Sequence, residues 1–80
     1  MTIYEAVVQR ILQLCEQQNI SISHLCTLST LPPSTIYSVI NFKSKNVRLD
    51  TLQKLCNGLN LSLIDFFNSD LFDDLEQEIK

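Results

Sequence analysis

Apolar side chains recur at three- and four-residue spacing in short segments along this 80-residue sequence, and this spacing constrains the fold most. It places the apolar side chains on one face of a helix. The first segment predicts an amphipathic helix from about Thr2 to Gln18. No segment shows the alternating pattern of a strand, so the sequence predicts an all-α fold. The apolar face of the first helix comprises Tyr4, Val7, Val8, Ile11, Leu12, Leu14 and Cys15.

Helix start signals define two further helices in the middle of the chain. Ser21 can cap a second helix that ends near Ser29. Pro33 suits a first helical position and holds Pro32 extended, which predicts a third helix from Pro33 to about Asn41. The expected inner residues of these two helices are Leu25, Cys26, Leu28, Ile36, Val39 and Ile40.

The last part of the chain predicts a fourth and a fifth helix. Apolar residues from Leu49 to Leu59 mark the fourth, which Asn60 can close in the left-handed conformation. Ser62 can cap the fifth, which carries Leu63, Ile64, Phe66 and Phe67. From residue 70 onward, apolar residues alternate with acids at helical spacing, which favours a short acidic sixth helix.

We therefore expect a compact bundle of five to six short helices. Its domain covers residues 1–69, and an acidic C-terminal helix or tail covers residues 70–80. The net charge is -3, but residues 1–69 hold five basic and four acidic side chains, so the net acidity belongs to the tail. A nucleic-acid partner is therefore not excluded by the overall charge.

Size and composition argue against an enzyme and against a cofactor. A domain this small rarely encloses a deep catalytic pocket, and His24 and the three cysteines are too scattered to predict a metal site. Cys15, Cys26 and Cys56 are odd in number and lie in apolar helical patterns, which favours reduced core thiols and the cytoplasm. No apolar run reaches about 18 residues, and no secretion signal is present, so we expect no membrane partner.

Residues 22–41 have the form of two short helices joined by about four residues, the second opening with small polar side chains. Such a unit can place its second helix in the major groove of DNA. The segment resembles the helix-turn-helix of the Cro and lambda-repressor superfamily, and the resemblance extends over residues 3–67. The motif residues that match are Leu25, Cys26, Leu31, Ile36 and Val39.

The resemblance implies a lambda-repressor-like fold that binds double-stranded DNA. It implies that four residues of the third helix face base edges: Pro33, Ser34, Tyr37 and Ser38. Tyr37 either contacts a base or sugar or covers the loop that follows. The resemblance further implies phosphate contacts from the start of the second helix and from the loop. Charge adds Arg48, because it lies in the same basic segment. The expected phosphate-contacting residues are Ser21, Ser23, Asn41, Lys43, Lys45, Asn46 and Arg48.

The sequence departs from this family pattern at three kinds of position. Ile22 stands where relatives place a glutamine that binds phosphate, and the third helix has no Arg, Gln or Asn before Asn41. Specificity is therefore expected to be modest or to depend on DNA shape. Thr30 and Phe42 occupy turns where relatives carry glycine, so these turns are either reshaped, with Asn41 in the left-handed role, or strained.

The favoured function is a transcriptional repressor that binds its operator as a homodimer, without a small-molecule ligand. The apolar stripe of the tail is expected to form the dimer contact, or alternatively to fold back on its own domain. The second hypothesis is a protein-interaction module of the antirepressor or antitoxin type, which keeps the fold with weak or no DNA binding. The expected dimerisation residues are Leu71, Phe72, Leu75 and Ile79.

Overall fold

The described residues form five helices and one short 3₁₀ turn, and they contain no strand. The computed structural model describes residues 1–43 and 46–76. No helix in this part of the chain is long and apolar enough to cross a membrane. In chain order, the elements are α1 Ile3–Gln18, α2 Ile22–Ser29, α3 Pro33–Ile40, α4 Leu49–Gly58, α5 Leu63–Phe67 and the 3₁₀ turn Asp70–Phe72.

Three of the helices begin at a hydroxyl side chain that the sequence places just before them. The hydroxyls of Thr2, Ser21 and Ser62 each accept a hydrogen bond from the backbone N–H three residues later, at 3.0–3.2 Å. At α1 the bond is reciprocal, because the Thr2 N–H donates to the Glu5 carboxylate at 2.8 Å. These local contacts satisfy free backbone donors, so the predicted helix starts are confirmed.

The first four helices end with one motif, in which a residue in the left-handed conformation is followed by a backbone hydrogen bond to the carbonyl five positions earlier. Asn tolerates this conformation well. Thr30 and Phe42 adopt it too, with φ of 54° and 59°, whereas Asn41 has a φ of -91°. The two turns are therefore strained rather than reshaped. The four left-handed residues are Asn19, Thr30, Phe42 and Asn60.

The core is formed by one face of every helix. Phe66 is fully buried at its centre, and α2 packs most extensively against α4. Their close approach is possible because Gly58 has no side chain where α4 meets Ser29. The other buried apolar residues are Ala6, Val7, Val8, Ile11, Leu14, Cys15, Leu25, Cys26, Leu31, Ile36, Val39, Leu52, Leu55, Cys56 and Leu59.

Three leucines that the apolar pattern assigned to inner faces are exposed. Leu12 and Leu28 are 42% and 44% exposed, and Leu49 is 80% exposed. Leu12 and Leu28 each point about 100° away from the centre of the buried face of their helix, as the helical rotation per residue dictates. Leu49 is the first residue of α4 and extends beyond the core. Ser29 is buried in place of Leu28.

The predicted sixth helix is reduced to the 3₁₀ turn Asp70–Phe72, and residues 77–80 lie outside the described residues. Phe72 packs on the core, with its ring centroid 4.9 Å from that of Phe67. The Glu76 N–H donates to the Met1 carbonyl at 3.0 Å. The tail up to residue 76 thus folds back along α1, because burying Phe72 favours this path over a continuous helix.

Candidate nucleic-acid interface

Helix α3 is held to the bundle by its inner side chains and leaves its outer side uncovered. Ile36 and Val39 are 1% and 4% exposed, and Leu31 in the preceding turn is also buried. Pro33 starts the helix, and no described side chain caps its N-terminus. The outer surface of α3 therefore consists of short polar side chains and one tyrosine ring.

The four residues expected to face base edges lie together on this outer side. Pro33, Ser34 and Tyr37 are exposed, and Ser38 is half-buried. Tyr37 is 44% exposed and lines a crevice rather than the core. This position is compatible both with contact to a base or sugar and with covering the loop that follows. This crevice has a volume of about 230 Å³ and is lined by Ser34, Tyr37, Ser38, Asn41 and Lys43.

A second crevice lies between α3 and the start of α4. It has a volume of about 280 Å³, and it places the phosphate candidates Asn46 and Arg48 beside the α3 serines. Thr35 and Thr51 also line it, although the sequence pattern gave no signal for either residue. The lining residues are Ser34, Thr35, Ser38, Val39, Asn46, Val47, Arg48 and Thr51.

The expected positive charge of the loop is smaller than the sequence suggests. The guanidinium of Arg48 makes two hydrogen bonds with the Asp50 carboxylate, at 3.1 and 3.2 Å. The side chains are 79% and 57% exposed, so a phosphate can replace Asp50 at little cost. Lys43 is exposed at the end of α3. Lys45 lies outside the described residues.

The start of α2 presents hydroxyl groups to solvent. Ser21 and Ser23 are both exposed, and Ser21 accepts the His24 N–H at 3.0 Å. Its hydroxyl proton remains able to bind a phosphate oxygen. Ile22, which replaces the expected glutamine, instead packs partly against the core. Since the side chain of Ile22 carries no donor, the expected phosphate contact at this end of α2 would have to come from the serine hydroxyls and backbone amides.

An aromatic pair that the sequence pattern did not predict supports the end of α3. The rings of Tyr4 and Phe42 lie 5.1 Å apart, and the Tyr4 hydroxyl donates to the Val39 carbonyl at 2.9 Å. Helix α1 is thereby linked to the last turn of α3. This contact helps to hold Phe42 in its unfavourable left-handed conformation, next to Asn41 and Lys43.

The residues expected to form a dimer contact have intramolecular positions. Leu71 and Leu75 are half-buried, and Phe72 is partly buried against the core, with its ring beside those of Phe66 and Phe67. Ile79 lies outside the described residues. Up to residue 76 the stripe therefore packs in part against its own chain, as the alternative expectation had it, and its role in a dimer stays a prediction.

Comparison with protein families identifies the family of this chain. The family model described as the Cro/C1-type helix-turn-helix DNA-binding domain matches residues 10–70, which include all of α2, α3, α4 and α5. No curated protein and no solved structure matches the chain significantly.

Proposed function

Because this chain belongs to the Cro/C1-type helix-turn-helix DNA-binding domains, we propose that it represses transcription by occupying an operator sequence. The observation that supports this role most is the uncovered outer side of α3. Ser34, Tyr37 and Ser38 share one crevice there with Asn41 and Lys43. Groups for base contact and groups for phosphate contact are thus adjacent, as a major-groove reader requires.

In the proposed mechanism, α3 enters the major groove and reads bases through short side chains. The hydroxyls of Ser34 and Ser38 can donate to or accept from base edges, and the ring of Pro33 can contact a thymine methyl group. None of these side chains makes a bidentate base contact. Specificity consequently depends in part on how easily the DNA adopts the bound shape.

Phosphate contacts would hold the domain in register. We assign them to Lys43, Asn41 and the hydroxyl end of α2 at Ser21 and Ser23. Arg48 joins them when a phosphate takes the place of Asp50. Asn46 lines the neighbouring crevice, and we assign it a further phosphate contact. The small number of cations predicts moderate affinity and a shallow dependence on salt.

A binding titration with a labelled pool of random duplexes tests the phosphate contacts. We expect the logarithm of the association constant to fall linearly with the logarithm of the salt concentration. The slope should steepen by about 0.9 for each phosphate contact. Lys43→Ala should weaken binding to all sequences alike and reduce this slope by about one. Lys54→Ala is the matched control, because Lys54 is also an exposed lysine but lines neither crevice beside α3.

Selection of bound sequences from the same pool tests the base contacts. Ser34→Ala and Ser38→Ala should change the selected sequence while leaving the salt slope unchanged. If Lys43→Ala, Ser34→Ala and Ser38→Ala all bind as the wild type does, the assignment of the interface to α3 is incorrect.

We propose that the operator-bound form is a homodimer, since readers of this architecture bind two half-sites about one DNA turn apart. We assign it no cofactor. Its compartment is proposed to be the reducing cytoplasm, because all three cysteines are buried and unpaired. Burial raises the pKa of the Cys15 and Cys56 thiols, which keeps them in the less reactive protonated form.

A second candidate function is a protein-interaction module of the antirepressor or antitoxin type. The pairing of Arg48 with Asp50 favours it, because this pairing reduces the net positive charge beside α3 in the absence of DNA. Duplex binding that is undetectable even at low salt would support this module and refute the repressor.

A further inference from the structure

The side chain of Tyr4 reaches from α1 to the turn that ends α3. Its hydroxyl donates to the Val39 carbonyl at 2.9 Å, and its ring centroid lies 5.1 Å from that of Phe42. We propose that Tyr4 is a positioning residue for DNA binding, because it holds closed the turn of residues 38–43, here named the Phe42 turn, which carries Lys43. The inference rests on the proposed function, since it names a residue outside the interface on which the phosphate contacts depend.

Tyr4 borders the connection between α3 and α4 at two points. Where this connection leaves α3, Tyr4 contacts Val39 and Phe42. Where it enters α4, Asn46 and Val47 line a crevice of about 190 Å³ together with Tyr4. Tyr4 and Val47 also pack partly against the core, which fixes their positions. One side chain of α1 is therefore placed to hold backbone on both sides of the expected phosphate contacts.

The Phe42 turn needs support because its backbone conformation is unfavourable. Phe42 is left-handed, with a φ of 59°, which reduces the population of such a conformation by roughly five- to thirtyfold for a side chain with a Cβ. Closure nevertheless depends on it. The Phe42 N–H donates to the Val39 carbonyl at 3.2 Å, and the Lys43 N–H donates to the Ser38 carbonyl at 2.9 Å. The position of Lys43 relative to α3 follows from these two bonds.

Tyr4 binds the same acceptor that the turn uses. The Val39 carbonyl accepts both the Phe42 N–H and the Tyr4 hydroxyl, so the two bonds support one backbone arrangement. A hydrogen bond of this kind changes an equilibrium constant by about two- to tenfold, and the ring contact adds to it. These effects are similar in size to the cost of the left-handed Phe42. Losing the hydroxyl should therefore lower the closed fraction, and a ligand that needs the closed turn loses affinity in proportion.

The turn that ends α4 has the same hydrogen bonding and provides an internal reference. Asn60 is left-handed there, with a φ of 60°, and the Leu61 N–H donates to the Cys56 carbonyl at 2.9 Å. Asparagine tolerates this conformation well. Removing the Tyr4 hydroxyl should therefore open the Phe42 turn and leave the turn at Asn60 closed.

Amide hydrogen exchange of the full chain, without DNA, tests this local effect. In Tyr4→Phe, the Lys43 amide should exchange about two- to tenfold faster than in the wild type, because its bond to Ser38 opens more often. The Leu61 amide should exchange at the wild-type rate. A general loss of stability would accelerate both amides. Equal acceleration of the two, or an unchanged rate at Lys43, would overturn the proposal.

Duplex binding measures the consequence for the interface. Tyr4→Phe should bind about two- to tenfold more weakly, with an unchanged salt slope, because the bound complex keeps its phosphate contacts. This result would differ from that of Lys43→Ala, which removes a contact and should reduce the slope.

Gln18→Met is the matched control for the lost hydrogen bond. Gln18 also extends from α1 and donates to a carbonyl at the end of another helix, that of Leu59, at 2.7 Å. It lines neither crevice beside α3. This variant should lose stability but keep the wild-type affinity for DNA. Affinity losses of the same size in Gln18→Met and Tyr4→Phe would contradict a positioning role for Tyr4.

A double variant tests whether Tyr4 acts through Phe42. Since asparagine adopts the left-handed conformation without support, Tyr4→Phe should change the affinity by less than about twofold in a Phe42→Asn background. An undiminished loss in that background would refute the mechanism. If no variant binds a duplex, the repressor function fails, whereas the exchange rates of the Lys43 and Leu61 amides still decide whether Tyr4 holds the turn.

Discussion

The close approach of α4 to α2 at Gly58 predicts that Gly58→Ala destabilises the protein. A methyl group built at Gly58 would lie 3.0 Å from the Ser29 amide nitrogen and 3.1 Å from the Leu28 carbonyl carbon, and it would overlap the Ser29 hydroxyl. The two backbone atoms cannot move without shifting α2. Ordinary contacts to a methyl group are longer, at about 3.5–4.0 Å, so the two helices must separate.

The size of the effect follows from two opposing terms. Replacing a helical glycine by alanine normally stabilises a protein by about 0.5–1 kcal/mol. Adding a methyl group to a tightly packed contact costs about 1–3 kcal/mol. The difference between these terms is about 0–2.5 kcal/mol. Because two of the close contacts are with backbone atoms, we expect a net loss in the upper part of this range, about 1–2 kcal/mol in the free energy of unfolding. Each kcal/mol corresponds to a decrease in Tm of about 4–8 °C for a domain of this size.

Urea unfolding monitored by circular dichroism measures this loss of unfolding free energy. The control is Asn57→Ala, on the neighbouring exposed residue of α4, which should be neutral or stabilising. The Ser29 hydroxyl is buried and has no hydrogen-bond partner among the described residues. Ser29→Ala should therefore reduce the cost of Gly58→Ala, although the backbone contacts prevent full recovery. A Gly58→Ala protein as stable as the wild type would refute this packing argument.

Three other local features give measurable predictions. Thr30→Asn should raise the free energy of unfolding by about 0.5–1 kcal/mol, because asparagine tolerates the left-handed conformation better, and thermal unfolding will show whether Tm increases. Tyr4→Phe keeps its ring but loses the hydrogen bond to Val39, so it should cost about 0.5–1.5 kcal/mol in urea unfolding. Hydrogen bonds from the backbone and side chain of Thr2 hold the pKa of Glu5 below its ordinary value. Glu5→Ala should therefore lower stability at pH 7, and the difference from wild type should shrink as the pH falls below the ordinary glutamate pKa of about 4.3; a difference independent of pH would contradict this.

The sequence alone determined where the first five helices lie and which segment forms the helix-turn-helix. Helix starts at Ser21 and Ser62 depend on a hydroxyl and an amide three residues apart, so they can be inferred without knowing the fold. The start of α3 follows from the restricted backbone of Pro33 in the same way. The spacing of Ile36 and Val39 likewise predicted which side of α3 is buried.

Only the tertiary structure decided which apolar side chains remain exposed. Leu28 and Leu49 fit the helical pattern but are exposed, because burial depends on where another helix lies. Phe72 belonged to an apparently free stripe but is covered by Phe67 of its own chain. Hydrogen bonds between near neighbours follow from local sequence, whereas packing joins residues distant in the chain and exists only once the helices have assembled.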